Sequence, residues 1–148
     1  MNQLSDLAHI IELSVAPVFL LAGIGAFLNV VASRLGRVVD RARNLEERFL
    51  AGPTAEEMTR IKAELGILDR RVRLSQRAVL LFSLAALLVC VVVAMLFIGE
   101  FVALPVVAPV AMMFIAAMLA MIGGLTLFLL ETALATRTIR VRAELLAK

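Results

Sequence analysis

The chain has 148 residues, 62% of them apolar and 18% charged, with 15 Lys/Arg against 12 Asp/Glu for a formal net charge of +3. Soluble domains run nearer half apolar and a quarter charged, so this composition, at mean hydropathy +1.00, is that of a membrane protein. It excludes a soluble enzyme, a secreted disulfide scaffold and a disordered tail; the one cysteine, Cys90, has no intrachain partner, and the one histidine, His9, makes no His-rich metal site.

The first element is predicted over 1–33, an outer tail followed by a transmembrane helix. Its apolar run, 13–32, is twenty residues long with only Ser14 and Asn29 as polar members. A bilayer core about 30 Å thick takes roughly 20 helical residues, and backbone polar groups in lipid must be satisfied internally, so the run is a helix. Val31-Ala32-Ser33 resembles a signal cleavage site. A signal sequence opens on a basic segment, however, and the leading residues carry Asp6 and Glu12 with no Lys or Arg. An uncleaved span is the expectation. Pro17 withholds the amide that would bond the Leu13 carbonyl, which predicts a passive bend there.

Within this span Ala22, Gly25, Asn29, Ala32 and Gly36 step by four, three, four and three, which places small residues and one amide on a narrow face. Such a face lets helices approach closely in lipid. Asn29 is expected either to hydrogen-bond a neighbouring helix or to stand on a water pathway, because an unpaired amide is costly in hydrocarbon.

Residues 34–77 are predicted to form a cytoplasmic helical hairpin with its turn at 51–54. Leu35, Val38, Ala42, Leu45 and Phe49 alternate steps of three and four, and Met58, Ile61, Leu65, Leu68, Val72, Ser75 and Val79 resume the pattern. That is a coiled-coil seam on each arm. Gly52-Pro53 stops the first arm, and Thr54 with Glu57 reads as a capping box opening the second. Beside the first seam runs a basic row, Arg34, Arg37, Arg41 and Arg48. Its ordinary role would be a solvated face with salt bridges to Glu56, Glu57, Glu64 and Asp69; its functional role would be to bind anions or anionic lipid headgroups at the membrane base.

The second span is predicted over 78–98, an outer loop over 99–105, the third span over 106–130 and a cytoplasmic C-terminal helix over 131–148. The tail keeps the seam spacing at Leu134, Thr138, Val141 and Leu145, so it is expected to pack on the hairpin. Ala116, Ala120 and Gly124 form a second close-packing face. Met112, Met113, Met118 and Met121 do not share one helix face and read as gap-filling residues rather than a copper path. Glu12, Glu100 and Asp6 make the outer surface acidic, and Glu131 marks the inner edge of the third span.

Orientation follows from the basic residues. The 34–77 segment has 11 Lys/Arg and 7 Asp/Glu, the tail from Glu131 has 4 and 2, and the two remaining loops have no basic residue at all. Basic residues favour the cytoplasm, so the N-terminus is expected outside and the C-terminus inside. The absence of Trp and Tyr removes the usual aromatic belt and leaves the Arg clusters to anchor the inner side.

The stretch 28–46, Leu-Asn-Val-Val-Ala-Ser-Arg-Leu-Gly-Arg-Val-Val-Asp-Arg-Ala-Arg-Asn-Leu-Glu, resembles the signature of DUF2721, a family of bacterial integral membrane proteins without an established function. Arg34, Arg37, Asp40, Arg41 and Arg43 match its Arg-x-x-Arg-x-x-Asp-Arg-x-Arg pattern, and the layout of three hydrophobic segments with a long charged stretch after the first is similar too. The resemblance implies the bacterial inner membrane and no particular chemistry. Asp40 and Arg43 read as members of a structural ion-pair cluster.

The fold class is therefore an all-α integral membrane protein: three transmembrane helices, the first two extended into a cytoplasmic antiparallel coiled-coil hairpin and the third continued by a cytoplasmic helix. No catalytic, cofactor or metal motif occurs, and neither an enzyme nor a bound cofactor is expected. Two small-residue faces need covering, which predicts a homo-oligomer. Two functions then stand open. One is a channel-like oligomer with the Ala22–Asn29–Gly36 face and the Arg stripe along its axis. The other is a non-catalytic scaffold whose basic hairpin binds a cytoplasmic protein partner or anionic lipid. Nucleic acid is not expected as a partner, because the hairpin carries a net charge of only +4 and almost no aromatic residue.

Overall fold

The computed structural model describes the backbone of residues 3–102 and 107–146, and the side chains of 11–99 and 107–136. Three helices account for it: α1 (Gln3–Leu50), α2 (Ala55–Val102) and α3 (Val107–Leu146). With 48, 48 and 40 residues, each is far longer than the roughly 20 residues a bilayer core requires. All three carry apolar segments long enough to cross a membrane, and only 17%, 22% and 17% of their most apolar windows are buried within the protein. Side chains such as Phe19, Leu80 and Leu119 face outward, at 74%, 68% and 63% exposure. Outward apolar surface on this scale needs lipid as its solvent, and the chain is a multi-pass membrane protein.

The helix boundaries follow local chemistry. Helix α1 runs through Pro17 and ends at Leu50, where Gly52 takes φ +75°, a conformation open to glycine at little cost. The Ala51 amide still donates to the Glu47 carbonyl at 3.1 Å. Helix α2 opens with the expected capping box: the Thr54 amide donates to Glu57 Oε2 at 3.2 Å and the Glu57 amide donates to Thr54 Oγ1 at 3.4 Å. Its far end lies beyond the predicted limit of residue 98, because Gly99 does not interrupt it and helix continues to Val102. Residues 103–106, which hold the remainder of the predicted outer loop and the first residue of the predicted third span, lie outside the described residues, as do the side chains of Asp6, Glu100, Thr138, Val141 and Leu145.

The chain divides into two compact units. Met1–Asn29 with Leu80–Gly123 form one, whose core includes Ile24, Phe82, Ala85, Val89 and Ala117. There the rings of Phe27 and Phe82 stack at 5.7 Å, and Leu81 lies so close to Gly123 that an added Cβ would meet its Cδ1 at 3.0 Å. Val30–Val79 with Gly124–Lys148 form the other. Its core is the predicted seam: Val38, Leu45 and Leu68 are buried, and Ala42, Ile61, Leu65 and Val72 pack against them. The alternation of three and four puts these residues on one stripe of each helix, and burying that stripe is what folds the two arms together.

Candidate functional site

The described residues that bring charge together belong to the second unit. At its centre is Glu131, 1% exposed. From α2, Arg71 donates to Glu131 Oε1 through both Nε, at 2.9 Å, and Nη2, at 2.7 Å. From α1, Arg34 Nη2 stands 3.1 Å from Oε2. That second contact is electrostatic rather than an aligned hydrogen bond, and Oε2 accepts none among the described residues. Arg34 is also held over the Phe128 ring at 5.3 Å, a cation–π arrangement that fixes its position from α3. One carboxylate thus ties three helices. A buried carboxylate is tolerable only with such compensation, since desolvation alone costs several kcal/mol per ion.

Further along the arms Arg41 grips Glu64 in the same way, Nε and Nη2 reaching Oε1 at 2.9 and 2.7 Å. This pair is solvent-exposed on both sides. Among the described residues, Glu64 alone of the four acidic partners expected for the basic row joins it. Glu56 pairs with Arg60, and Asp69 with Arg73, each within α2 at a spacing of four. Glu57 is held by its capping role. The local partner wins because residues four apart on a helix are already neighbours and lose little entropy on pairing.

The predicted ion-pair cluster at Asp40 and Arg43 is not assembled among the described residues: both side chains are exposed and neither makes a salt bridge. The Asp40 backbone carbonyl instead accepts a hydrogen bond from Asn44 Nδ2 at 2.9 Å. The acidic member of the cluster that does form, Glu131, is a residue that the sequence marked only as the edge of a span.

Two clefts open beside the basic row. One, of about 200 Å³, is lined by Arg34, Arg37, Val38, Arg41, Leu68 and Arg71. The other, of about 550 Å³, lies near the turn, with Arg41, Arg48, Arg60, Glu57 and Glu64 among its walls. Arg37 and Arg48 are exposed and make no ion pair among the described residues. Arg71, which the row on α1 could not reveal, is the fourth guanidinium of the smaller cleft.

The small-residue face is open. Ala22, Gly25, Asn29, Ala32 and Gly36 are all exposed, and a Cβ added at Gly25 or Gly36 would meet nothing within 4 Å. The Asn29 amide makes no hydrogen bond among the described residues. Cys90 is exposed, and no group of three or more His, Cys, Asp or Glu side chains that could hold a metal occurs among the described residues.

No curated protein and no solved structure matches this chain. A family model, described as a protein of unknown function (DUF2721), matches residues 14–141. That span takes in all of α2, most of α1 and α3, the seam, and the Arg34–Glu131–Arg71 cluster, and the chain belongs to the DUF2721 family.

Proposed function

We propose that this chain is a non-catalytic, homo-oligomeric protein of the bacterial inner membrane whose basic cytoplasmic hairpin holds anionic lipid. The observation that carries the reading is the exposure of Arg37, Arg41 and Arg48 along α1, beside clefts that α2 completes with Arg71 and Arg60. The orientation, N-terminus out and C-terminus in, rests on the distribution of basic residues. The seam through Val38, Leu45 and Leu68 supports an antiparallel coiled-coil hairpin. Anionic headgroups contribute about 1 kcal/mol for each nearby Lys or Arg, so the unpaired Arg37 and Arg48, with Arg41 keeping N–H groups beyond its pair with Glu64, form an effective lipid contact. Lipid is favoured over a protein partner because the row begins at Arg34, directly after the apolar run.

Reversing Arg37 and Arg41 to Glu tests this. The purified full chain is expected to lose its co-purifying anionic lipid while its oligomer size stays the same. Lipid retention equal to that of the parent chain would remove the basic row as the contact and turn attention to a cytoplasmic protein.

A channel-like oligomer is the second reading, favoured by the open Asn29 face. An amide without a partner in an apolar span calls for a second copy's helix or for water. At about 100° per residue, Arg37 and Arg41 stand roughly 80° and 120° round α1 from Asn29, so one narrow axis does not accept both the amide and the basic row. Asn29→Leu is expected to change ion flux through reconstituted vesicles if the face lines a pore; vesicles with no flux from either protein would leave the face as an oligomer contact alone.

A further inference from the structure

Four guanidinium groups, from Arg34, Arg37, Arg41 and Arg71, surround one small cleft. Glu131 pairs with two of them and Glu64 with a third, so four positive charges face two negative ones and an excess of +2 remains. Arg37 is the uncommitted member. The ion pairs also leave donors over. Arg41 and Arg71 each engage their carboxylate through Nε and Nη2, and a guanidinium carries five N–H groups, so both Nη1 groups remain. Like charges gathered round one cleft repel, and an anion seated among them relieves that repulsion.

We infer that this cleft is a phosphate-monoester site, which takes a dianionic phosphoryl group against Arg37, Arg41 and Arg71. The inference rests on the lipid-binding reading above and narrows it to one headgroup chemistry. The excess of +2 matches a monoester, which carries nearly two negative charges at neutral pH and three acceptor oxygens, whereas a diester offers one charge and two such oxygens. Guanidinium forks suit phosphate oxygens geometrically. The volume of about 200 Å³ lies below the roughly 300–1,000 Å³ of sites for drug-sized ligands, so it fits a single phosphoryl group rather than a nucleotide.

The full chain in detergent is titrated calorimetrically with dioctanoyl phosphatidic acid, dioctanoyl phosphatidylglycerol and inorganic phosphate. Phosphatidic acid is expected to bind about tenfold more tightly than phosphatidylglycerol, with Arg37→Gln losing about tenfold and Arg43→Gln, exposed and outside the cleft, keeping its affinity. Arg37 is exposed and unpaired, so an unchanged unfolding midpoint in Arg37→Gln separates lost binding from lost fold. Tighter binding of phosphatidic acid than of phosphate assigns the site to lipid; phosphate binding as tightly, with the same sensitivity to Arg37→Gln, assigns it to a soluble phosphate. Equal affinity for the two lipids, or full affinity in Arg37→Gln, overturns the site and leaves a diffuse basic face. Failure of both lipids and of phosphate to bind overturns the broader lipid reading as well.

Discussion

Arg71 and Glu131, sixty residues apart, meet with both Nε and Nη2 of the guanidinium on a single carboxylate oxygen. The carboxylate is 1% exposed and the arginine side chain 20%, so the pair lies where water screens it poorly. Arg34 adds the second positive charge from α1. Removing the one negative charge would leave two part-buried cations facing each other.

Glu131→Gln is therefore expected to destabilise the protein by about 3–5 kcal/mol, the cost of breaking a buried pair from one side. Glu64→Gln breaks a pair of similar geometry, but one exposed by 46% and 37%, and is expected to cost about 0–1 kcal/mol. Reversible unfolding of both variants in mixed micelles measures the difference. Equal losses would mean that burial does not set the worth of these contacts.

The turn between α1 and α2 makes a second prediction. A side chain at Gly52, φ +75°, meets the left-handed penalty of about 1–2 kcal/mol, so Gly52→Ala should lower stability by that amount. Thr54→Ala removes one half of the capping box and should cost about 1 kcal/mol. Thr54→Ser keeps the hydroxyl, and a retained midpoint in the same unfolding assay identifies the cap as the cause.

Neighbouring residues separate seam from surface. Leu68 is 5% exposed in the core with Val38 and Leu45, and Ile67 beside it is 43% exposed. Leu68→Ala is expected to lose about 2–5 kcal/mol through lost burial and the cavity left behind. Ile67→Ala should stay within about 0.5 kcal/mol. A similar loss at both positions would put the arms in a different register.

Two glycines divide in the same manner. A methyl group at Gly123 would meet Leu81 Cδ1 at 3.0 Å, while one at Gly25 would meet nothing within 4 Å. Gly123→Ala should cost about 1 kcal/mol as Leu81 gives way. Gly25→Ala should leave the monomer unchanged or stabilise it by up to about 1 kcal/mol through helix propensity. A fall in self-association of Gly25→Ala, read by cross-linking in detergent, would mark that face as the contact between copies.

Residues whose role is set by near neighbours were readable from the chain. The three spans follow from runs of apolar side chains, the turn from Gly52-Pro53, and the cap from Thr54 and Glu57, because each depends on a period or a partner a few residues away. The seam was legible for the same reason, down to the burial of Val38, Leu45 and Leu68. Charge pairing was not. The row Arg34, Arg37, Arg41 and Arg48 looks uniform in sequence, yet Arg34 turns to Glu131, Arg41 to Glu64, and Arg37 stays open. A guanidinium takes whichever carboxylate is close and desolvated, and closeness across sixty residues exists only once three helices have packed. Sequence alone determined a three-span membrane protein with a helical turn and two apolar seams; tertiary packing decided that Glu131 is the buried anion and that Arg71 joins Arg34, Arg37 and Arg41 round one cleft, because electrostatic partnership depends on distance and burial rather than on order along the chain.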